Sequence, residues 1–317
     1  MTYLDYFHFD KEPFPTTTFN NYIYENKGQF KIIDDIVNSI RFNSGIYSII
    51  GSEGVGKTFV LRQIQQNLKN NDIVIFISAN ENLDILKTIN DQITFASKKQ
   101  NVEDIFQIIS KYYKKGQNII FLIDNMQNLD KKQITNLTAL IDVLPYLKIV
   151  ATGDKSLKKL FNNKKYKILK TKMVKQYKLS YLSFTKAMKY INSISVDALS
   201  LSQYKKVIGF LPRAFISYIS NRNIKNINFI TTEAIKKAYE NKNKIVKIKD
   251  VYDVAKTNFH IVKENIYLKF QKIFFWILVV LSMYFCFKLF ADRNYLLQKI
   301  EVEKSLDKQE KSFEKLH

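Results

Sequence analysis

Two short stretches of the 317-residue chain carry residue types suited to binding phosphates and a metal ion. The first is GSEGVGKT, residues 51–58, and the second is IIFLIDN, residues 119–125. The first stretch fits G-x-x-x-x-G-K-[ST], in which glycines let successive backbone N–H groups curl around phosphate oxygens. The second is an apolar run that ends in a carboxylate, which is typical of a buried strand whose terminal acid helps to hold Mg²⁺. Together they predict a nucleotide-binding site.

The pattern gives each residue of the first stretch an expected role. Lys57 would reach the β- and γ-phosphates of ATP, and Thr58 would offer its hydroxyl to Mg²⁺. Asp124 would supply a second oxygen to the same metal ion. The loop that cradles the phosphates would consist of Gly51, Ser52, Glu53, Gly54, Val55 and Gly56. A short apolar strand, GIYSII, precedes the loop, and the helical pattern TFVLRQIQQNLK places a positive helix end against the anion.

Asn125 follows Asp124 at a position where many ATP-binding sites carry a glutamate that activates water. An asparagine can hold a water molecule by a hydrogen bond, but it cannot accept the proton of that water. Loss of a general base can lower a rate by orders of magnitude. We therefore expect this chain to bind ATP and to hydrolyse it slowly, or only with the help of a partner.

The elements that must position these residues alternate between strand and helix. Helical patterns such as KKQITNLTALIDVL separate five predicted strands, which are residues 45–50, 72–78, 118–124, 147–153 and 176–182. Alternation of this kind predicts an α/β P-loop fold, with a parallel sheet that is flanked by helices on both faces.

Five stretches together resemble the ExeA/GspA-type AAA+ ATPases over roughly residues 1–250. They are YFHFDKEPF, YIYENKGQFKIIDDIVNSI, the P-loop, IDNMQNL and GFLPR. Members of that family are associated with type II secretion, with MSHA-like type IV pili and, in relatives, with DNA uptake or transposition. The resemblance implies an AAA+ module that assembles as a homo-oligomer.

The resemblance also implies roles for five further residues. Phe9, Pro13 and Phe14 would lie near the nucleotide base or brace the P-loop. Thr152 would be the sensor-1 polar group, and Arg213 the sensor-2 arginine that reaches from a small helical lid to the γ-phosphate. An arginine suits planar, bidentate contact with phosphate, and only five of the 50 basic residues are arginine.

The sequence departs from the family pattern at three places. IDNMQ replaces the usual IDEAQ, and GFLPR has lost one glycine of the usual GGxPR. The stretch from Lys155 to Lys175, where a trans-acting arginine finger would be expected, is rich in lysine and contains no arginine.

An apolar segment near the end of the chain predicts a membrane anchor. Residues 273–291, IFFWILVVLSMYFCFKLFA, contain one charged residue, Lys288, and as a helix would extend roughly 28 Å. The predicted organisation is a nucleotide-binding domain (1–182), a helical lid (183–250), a linker helix (251–272), a single transmembrane helix (273–291) and a short periplasmic tail (292–317). Because the site needs cytoplasmic ATP, we expect the N-terminal domain on the cytoplasmic side of a bacterial inner membrane.

The net charge of +21 lies entirely before residue 292, since six basic and six acidic residues balance in the last segment. Such a charge can attract nucleic acid or anionic lipid. A compositional bias toward Lys, Asn, Ile, Phe and Tyr explains it equally well. The single cysteine and three scattered histidines predict neither a disulfide framework nor a structural metal site.

Three functions stay open on the sequence alone. The first is an ATPase that powers or gates a secretion, type IV pilus or DNA-uptake apparatus together with inner-membrane partner proteins. The second is a non-hydrolysing, ATP-gated scaffold. The third is a DNA-binding AAA+ helper of the transposition type, which the basic charge favours although the sequence shows no helix-turn-helix or other base-reading module.

Overall fold

The computed structural model describes residues 2–15, 27–68, 72–81, 83–94, 102–199, 206–258, 275–290 and 293. The chain forms two compact units, residues 1–261 and residues 262–317. Most of the predicted linker helix, the ends of the predicted membrane span and nearly all of the predicted tail lie outside the described residues.

The first unit contains a parallel sheet of five strands in the order β2-β3-β4-β1-β5. The strands are β1 (Gly45–Gly51), β2 (Ile73–Ser78), β3 (Ile119–Asp124), β4 (Lys148–Gly153) and β5 (Met173–Leu179). Their side chains alternate between the two faces, as the pleat of a strand requires. On β3, Phe121 and Ile123 face one apolar cluster, whereas Ile120 and Leu122 face the other. Burial on both faces explains the unbroken apolar runs of the sequence.

Helices cover both faces of this sheet. Helix α1 (Tyr3–Phe7) precedes them in the chain, and the helices on the sheet are α2 (Lys27–Phe42), α3 (Lys57–Asn67), α4 (Ile85–Thr94), α5 (Val102–Lys114), α6 (Lys131–Val143), α7 (Lys155–Phe161) and α8 (Lys167–Thr171). Helices α2 and α3 pack on one face, and α4 to α8 contribute to the cluster on the other. The predicted α/β architecture is confirmed, because each helix that packs on the sheet turns an apolar stripe toward it.

The fifth strand lies earlier in the chain than the sequence pattern predicts. It spans Met173–Leu179 instead of residues 176–182, and it pairs along β1 from Ile46 to Gly51. As an edge strand, β5 leaves Val174, Lys175 and Gln176 exposed, so the alternation that marks a half-buried strand is weak at its start. The pairing with β1, which no local pattern encodes, fixes its limits.

Four helices form a small lid after the sheet. They are α9 (Phe184–Asp197), α10 (Phe210–Ile219), α11 (Ile224–Glu240) and α12 (Ile248–Thr257). Helix α12 crosses the predicted boundary at residues 250 and 251, and it packs against α10 and α11. Its buried side chains include Val251, Val254 and Ala255. The start of the predicted linker helix therefore packs as part of the lid.

The second unit is described by itself. Residues 275–290 are helical and carry large exposed apolar side chains, among them Phe275, Trp276 and Phe290. No helix among the described residues is long and apolar enough to cross a membrane. Residues 273, 274 and 291 of the predicted span lie outside the described ranges.

Candidate nucleotide-binding site

The register of the sheet brings the predicted site residues together at the carboxyl ends of the strands. Thr152 lies beside Ile49 of β1, two residues before the P-loop begins, and Ala151 pairs with Ile123 of β3. Asp124, the last residue of β3, is therefore a neighbour of Thr152. Strands β1, β3 and β4 all end at this edge because they are parallel, which is where ligands of open α/β sheets bind.

The P-loop adopts a conformation that depends on its glycines. Gly54 and Gly56 have positive φ values of 75° and 94°, a region that side chains with a Cβ rarely adopt. Gly56 precedes the first turn of α3 without a side-chain cap. The free N–H groups of that turn and the helix dipole make this helix end suitable for phosphate.

Lys57 lies against the loop that precedes it. Its side chain is 8 % exposed, and Nζ donates hydrogen bonds to the carbonyl oxygens of Gly51 and Ser52, at 3.0 Å each. Burial lowers the pKa of Lys57 below its usual value, while the charges of Asp124, Asp154 and Glu53 oppose that shift. A buried cation whose hydrogen bonds go to carbonyl oxygens gains strongly from an anionic ligand.

Asp124 receives hydrogen bonds on both of its carboxylate oxygens. Thr58 Oγ1 donates to Oδ2 at 2.6 Å, and Thr152 Oγ1 donates to Oδ1. This cluster of a buried carboxylate and two hydroxyls offers the hard oxygen ligands that Mg²⁺ prefers. The donor set fits a metal ion that is bound by a hydroxyl, a carboxylate, phosphates and water, and Thr58 and Asp124 would hold it.

Asn125 lies beside this cluster in the left-handed backbone region, with φ of 54° and ψ of 45°. Its backbone N–H donates to Thr152 Oγ1 at 3.0 Å, so Thr152 links the ends of β3 and β4. Asparagine tolerates the left-handed region better than most residues with a Cβ do. The conformation thus gives a structural reason for asparagine, separate from the missing general base.

The lid clasps the tip of the P-loop through the start of α11. Asn223 Nδ2 donates to the carbonyl oxygen of Glu53 at 2.9 Å, and the backbone N–H of Ile224 donates to the carbonyl oxygen of Gly54 at 3.1 Å. Lys225 adds an exposed ion pair to the Glu53 carboxylate at 2.8 Å. A Cβ on Gly54 would collide with the side-chain amide of Asn223. We call these contacts the lid clasp.

Helix α2 makes a second contact with the P-loop. Gln29 of α2 is buried, and its Nε2 donates to the carbonyl oxygen of Val55 at 3.1 Å. The same amide would be crowded by a Cβ on Gly56. Neither Gln29 nor the lid clasp is foreseen by sequence reasoning. Asn223 carries a local signal as the N-cap of α11, but its contact with Glu53 joins residues 170 positions apart.

Arg213 lies in the first turn of α10, as the GFLPR pattern suggests. It is half-buried, and its guanidinium donates to Asn192 Oδ1 of α9 and to the carbonyl oxygen of Gly209. These contacts hold it within the lid, and its expected reach to the γ-phosphate stays a prediction.

The N-terminal residues Phe9, Pro13 and Phe14 are buried against the lid. Phe9 forms a backbone bridge with Leu199. The carbonyl oxygen of Phe14 accepts a hydrogen bond from Thr232 Oγ1 of α11 at 3.1 Å. These contacts place the segment on the lid, so its expected position at the base or beneath the P-loop stays a prediction.

A comparison with known protein families also points to the residues of this site. Residues 40–161, which include the P-loop, Asp124 and Thr152, match the family model described as an AAA domain. The match supports an AAA domain over this part of the chain. No curated protein matches the sequence.

Solved structures share the fold at low sequence identity. Cdc6p from Pyrobaculum aerophilum matches with a TM-score of 0.63 at 16 % identity, over 78 % of this chain and 71 % of that chain. The ORC2 protein of Aeropyrum pernix, solved as ADPNP–ADP complexes, gives 0.60 at 13 % identity over 78 % and 71 %. The ORC1 protein of Aeropyrum pernix in complex with DNA gives 0.58 at 11 % identity over 74 % and 65 %.

These similarities show the fold alone, for the sheet with its helices and the lid. None of them identifies the ExeA/GspA-type subfamily, which stays a prediction from the sequence motifs.

Proposed function

We propose that this chain is an Mg²⁺–ATP-binding AAA+ protein whose nucleotide state controls the assembly of a membrane-associated apparatus. The observation that carries the proposal is the cluster at the sheet edge, where Asp124 receives hydrogen bonds from Thr58 and Thr152 beside the P-loop lysine. A glycine loop, an anion-binding helix end and hard oxygen ligands for a metal suit a nucleoside triphosphate.

In this proposal each residue acts on the nucleotide in a simple way. Lys57 would exchange its carbonyl partners for the β- and γ-phosphates, and the P-loop N–H groups would surround the phosphate oxygens. Thr58 and Asp124 would hold a metal ion, which would supply positive charge next to the phosphates. Thr152 fixes the Asp124 carboxylate and the backbone of Asn125, which places the Asn125 side chain next to the site of an attacking water.

Hydrolysis in this site is slow. Asn125 can orient a water molecule but cannot take its proton, and no arginine lies in the exposed stretch of α7 and α8. A partner protein that supplies the missing groups would raise the rate. With such slow turnover, the protein acts mainly as an ATP-dependent switch.

The apparatus is proposed from the motifs and the apolar segment. The ExeA/GspA-type resemblance favours secretion, type IV pilus or DNA-uptake machinery, with inner-membrane proteins as partners and a homo-oligomer as the active form. Residues 273–291 would anchor the chain in the inner membrane, with the nucleotide site in the cytoplasm.

The decisive experiment measures phosphate release by the full chain with ATP and Mg²⁺, for the wild type, Asn125→Glu and Asn125→Gln. Glutamate and glutamine meet the same left-handed backbone strain, so their difference isolates the carboxylate. We expect Asn125→Glu to exceed both other proteins by at least about tenfold, in line with general-base catalysis. Equal rates for the two variants would refute the account of Asn125.

A second candidate function, action on DNA, is favoured by one specific observation. From Lys155 to Val196 the chain contains no aspartate or glutamate, so positive charge is concentrated in one part of the AAA+ domain. The similarity to an ORC1 protein that was solved in complex with DNA supports this candidate at the level of fold.

A further inference from the structure

Seven exposed lysines lie in the segment that connects β4 to β5 in the sequence. The chain there forms α7, a 3₁₀ turn (Lys164–Tyr166) and α8, and their apolar side chains enter the core of the sheet. All seven lysines are exposed, and we call them the basic face: Lys155, Lys158, Lys159, Lys164, Lys165, Lys167 and Lys170.

The lysines of α7 lie on one side of the helix, and its buried apolar residues lie on the other. Lys155, Lys158 and Lys159 are spaced i, i+3 and i+4, which places them on one side of the helix. Leu157 and Phe161 lie on the opposite side and are buried. Like charges at these spacings repel one another, so the helix carries an unfavourable interaction that a polyanion would relieve.

Carboxylates of the described residues do not neutralise this face. None of its seven lysines takes part in an ion pair among the described residues, whereas Lys175, Lys225, Lys236 and Lys237 do. A bias toward lysine would raise the number of basic residues, but it would not remove the acidic ones. The combination concentrates positive potential and favours an anionic partner.

The residue types on the face indicate which polyanion it fits. The aromatic side chains of this part of the chain, Phe161 and Tyr166, are buried, so they offer no platform on which unpaired bases could stack. Leu157 and Leu169 are buried as well, and the partly buried Leu160 and Ile168 pack against the same core, so these side chains are not free to enter a lipid layer. Lysines without arginine make phosphate contacts and lack the bidentate fork that reads guanine.

We propose that the basic face binds the phosphate backbone of duplex DNA without sequence preference. This inference deepens the second proposed function, on which it rests, by naming the surface and the ligand. The face starts at Lys155, and Asp154 just before it acts on Lys57 through its charge. The face follows Thr152 and Gly153, which end β4, so DNA bound to it would lie close to the nucleotide site.

The test compares two triple variants of the full chain that lose the same charge. The face variant carries Lys158→Gln, Lys159→Gln and Lys165→Gln. The control carries Lys111→Gln, Lys114→Gln and Lys115→Gln at the end of α5, where the lysines are also exposed. Fluorescence anisotropy of a labelled duplex of mixed sequence gives the affinity over a series of salt concentrations. ATP-dependent thermal shifts verify that both variants are folded.

We expect the face variant to bind the duplex about tenfold or more weakly than the wild type, and the control to change about twofold or less. The slope of log affinity against log salt concentration should become shallower by about 0.9 for each phosphate that a lysine no longer neutralises. This shift in slope should be absent from the control.

Other outcomes overturn the inference in distinguishable ways. Equal losses in both variants would show that diffuse charge binds DNA, which leaves the second proposed function standing but removes the face. Absence of duplex binding by the wild type would remove both. Tighter binding of a single strand than of the duplex would contradict the ligand that we propose. A loss of binding to phosphatidylserine vesicles in the face variant but not in the control, without a loss of duplex binding, would contradict it as well.

Discussion

Lys57 is the residue on which the proposed nucleotide binding depends most directly. Its amine is nearly buried and is held by two carbonyl oxygens in place of a carboxylate. Phosphate would replace these weak partners with full negative charges. Two measurable consequences arise from this single side chain.

The first prediction concerns removal of the amine. At an ATP concentration of about 100 times Kd, binding should stabilise the wild type by about 2.7 kcal/mol. In Lys57→Ala this ATP-dependent shift of thermal unfolding should vanish, while unfolding without ATP should stay cooperative. Lys111→Ala serves as a control, because this lysine is exposed on α5. An undiminished shift in Lys57→Ala would overturn the assignment of the P-loop.

The second prediction concerns the uptake of protons when ATP binds. Burial lowers the pKa of Lys57 from its usual 10.5, so the folded protein disfavours the charged lysine. The resulting stability penalty is present below the folded pKa and is relieved as the pH rises through it. Bound phosphate would raise the pKa again. Between the lowered and the raised pKa, ATP binding should therefore take up protons, and affinity should fall as the pH rises.

Calorimetry in two buffers with different ionisation enthalpies measures this proton uptake at a pH between the lowered and the raised pKa of Lys57. A reference measurement is made at about pH 8, where an ordinary lysine is charged whether or not ATP is bound. Proton uptake that is the same at both pH values would contradict the role of Lys57.

At the scale of elements, the lid clasp joins helix α11 to the P-loop. Asn223 has two tasks, since its side chain caps α11 at Lys225 and Asn226 and also donates to the Glu53 carbonyl oxygen. Binding of the loop to the lid pre-organises the phosphate cradle, which lowers the ordering cost of nucleotide binding.

Asn223→Ala should therefore lower both stability and affinity. Loss of the cap costs about 1 kcal/mol of unfolding free energy, which urea denaturation measures. ATP affinity should fall as well, because the tip of the loop loses a support. Ser183→Ala removes the cap of α9, another lid helix, without touching the P-loop. If both variants weaken ATP binding equally, the clasp has no specific effect on the site.

The elements also separate what the sequence could predict from what it could not. Asp124 and the P-loop are predictable because each lies within one continuous pattern of strand, loop or helix. Gln29 and Asn223 are not, since their partners lie 26 and 170 positions away. The left-handed backbone of Asn125 also escapes prediction, because the identity of the residue suggests only its chemistry. The start of β5 depends on pairing with β1, which the local sequence pattern does not contain.

At the scale of the whole molecule, the first unit is a compact body by itself and the apolar segment belongs to the second. The proposed anchor can therefore be tested by removing the second unit. A chain that ends at Ile261 should stay in the supernatant of a cell lysate after ultracentrifugation and should retain its ATP-dependent thermal shift. The full chain should sediment with membranes and be released by detergent but not by high salt. Release of the full chain by salt alone would contradict a membrane-spanning segment.

The order of the sheet has a consequence for how the site could be lost. Strands β1, β3 and β4, which end at the P-loop, Asp124 and Thr152, are the three interior strands, while β2 and β5 form the edges. Interior strands open only when the whole domain unfolds, whereas edges and loops open locally. Their amide protons should thus exchange with solvent at the slowest rate among the described residues, and partial fraying of an edge strand should leave the candidate nucleotide-binding site intact.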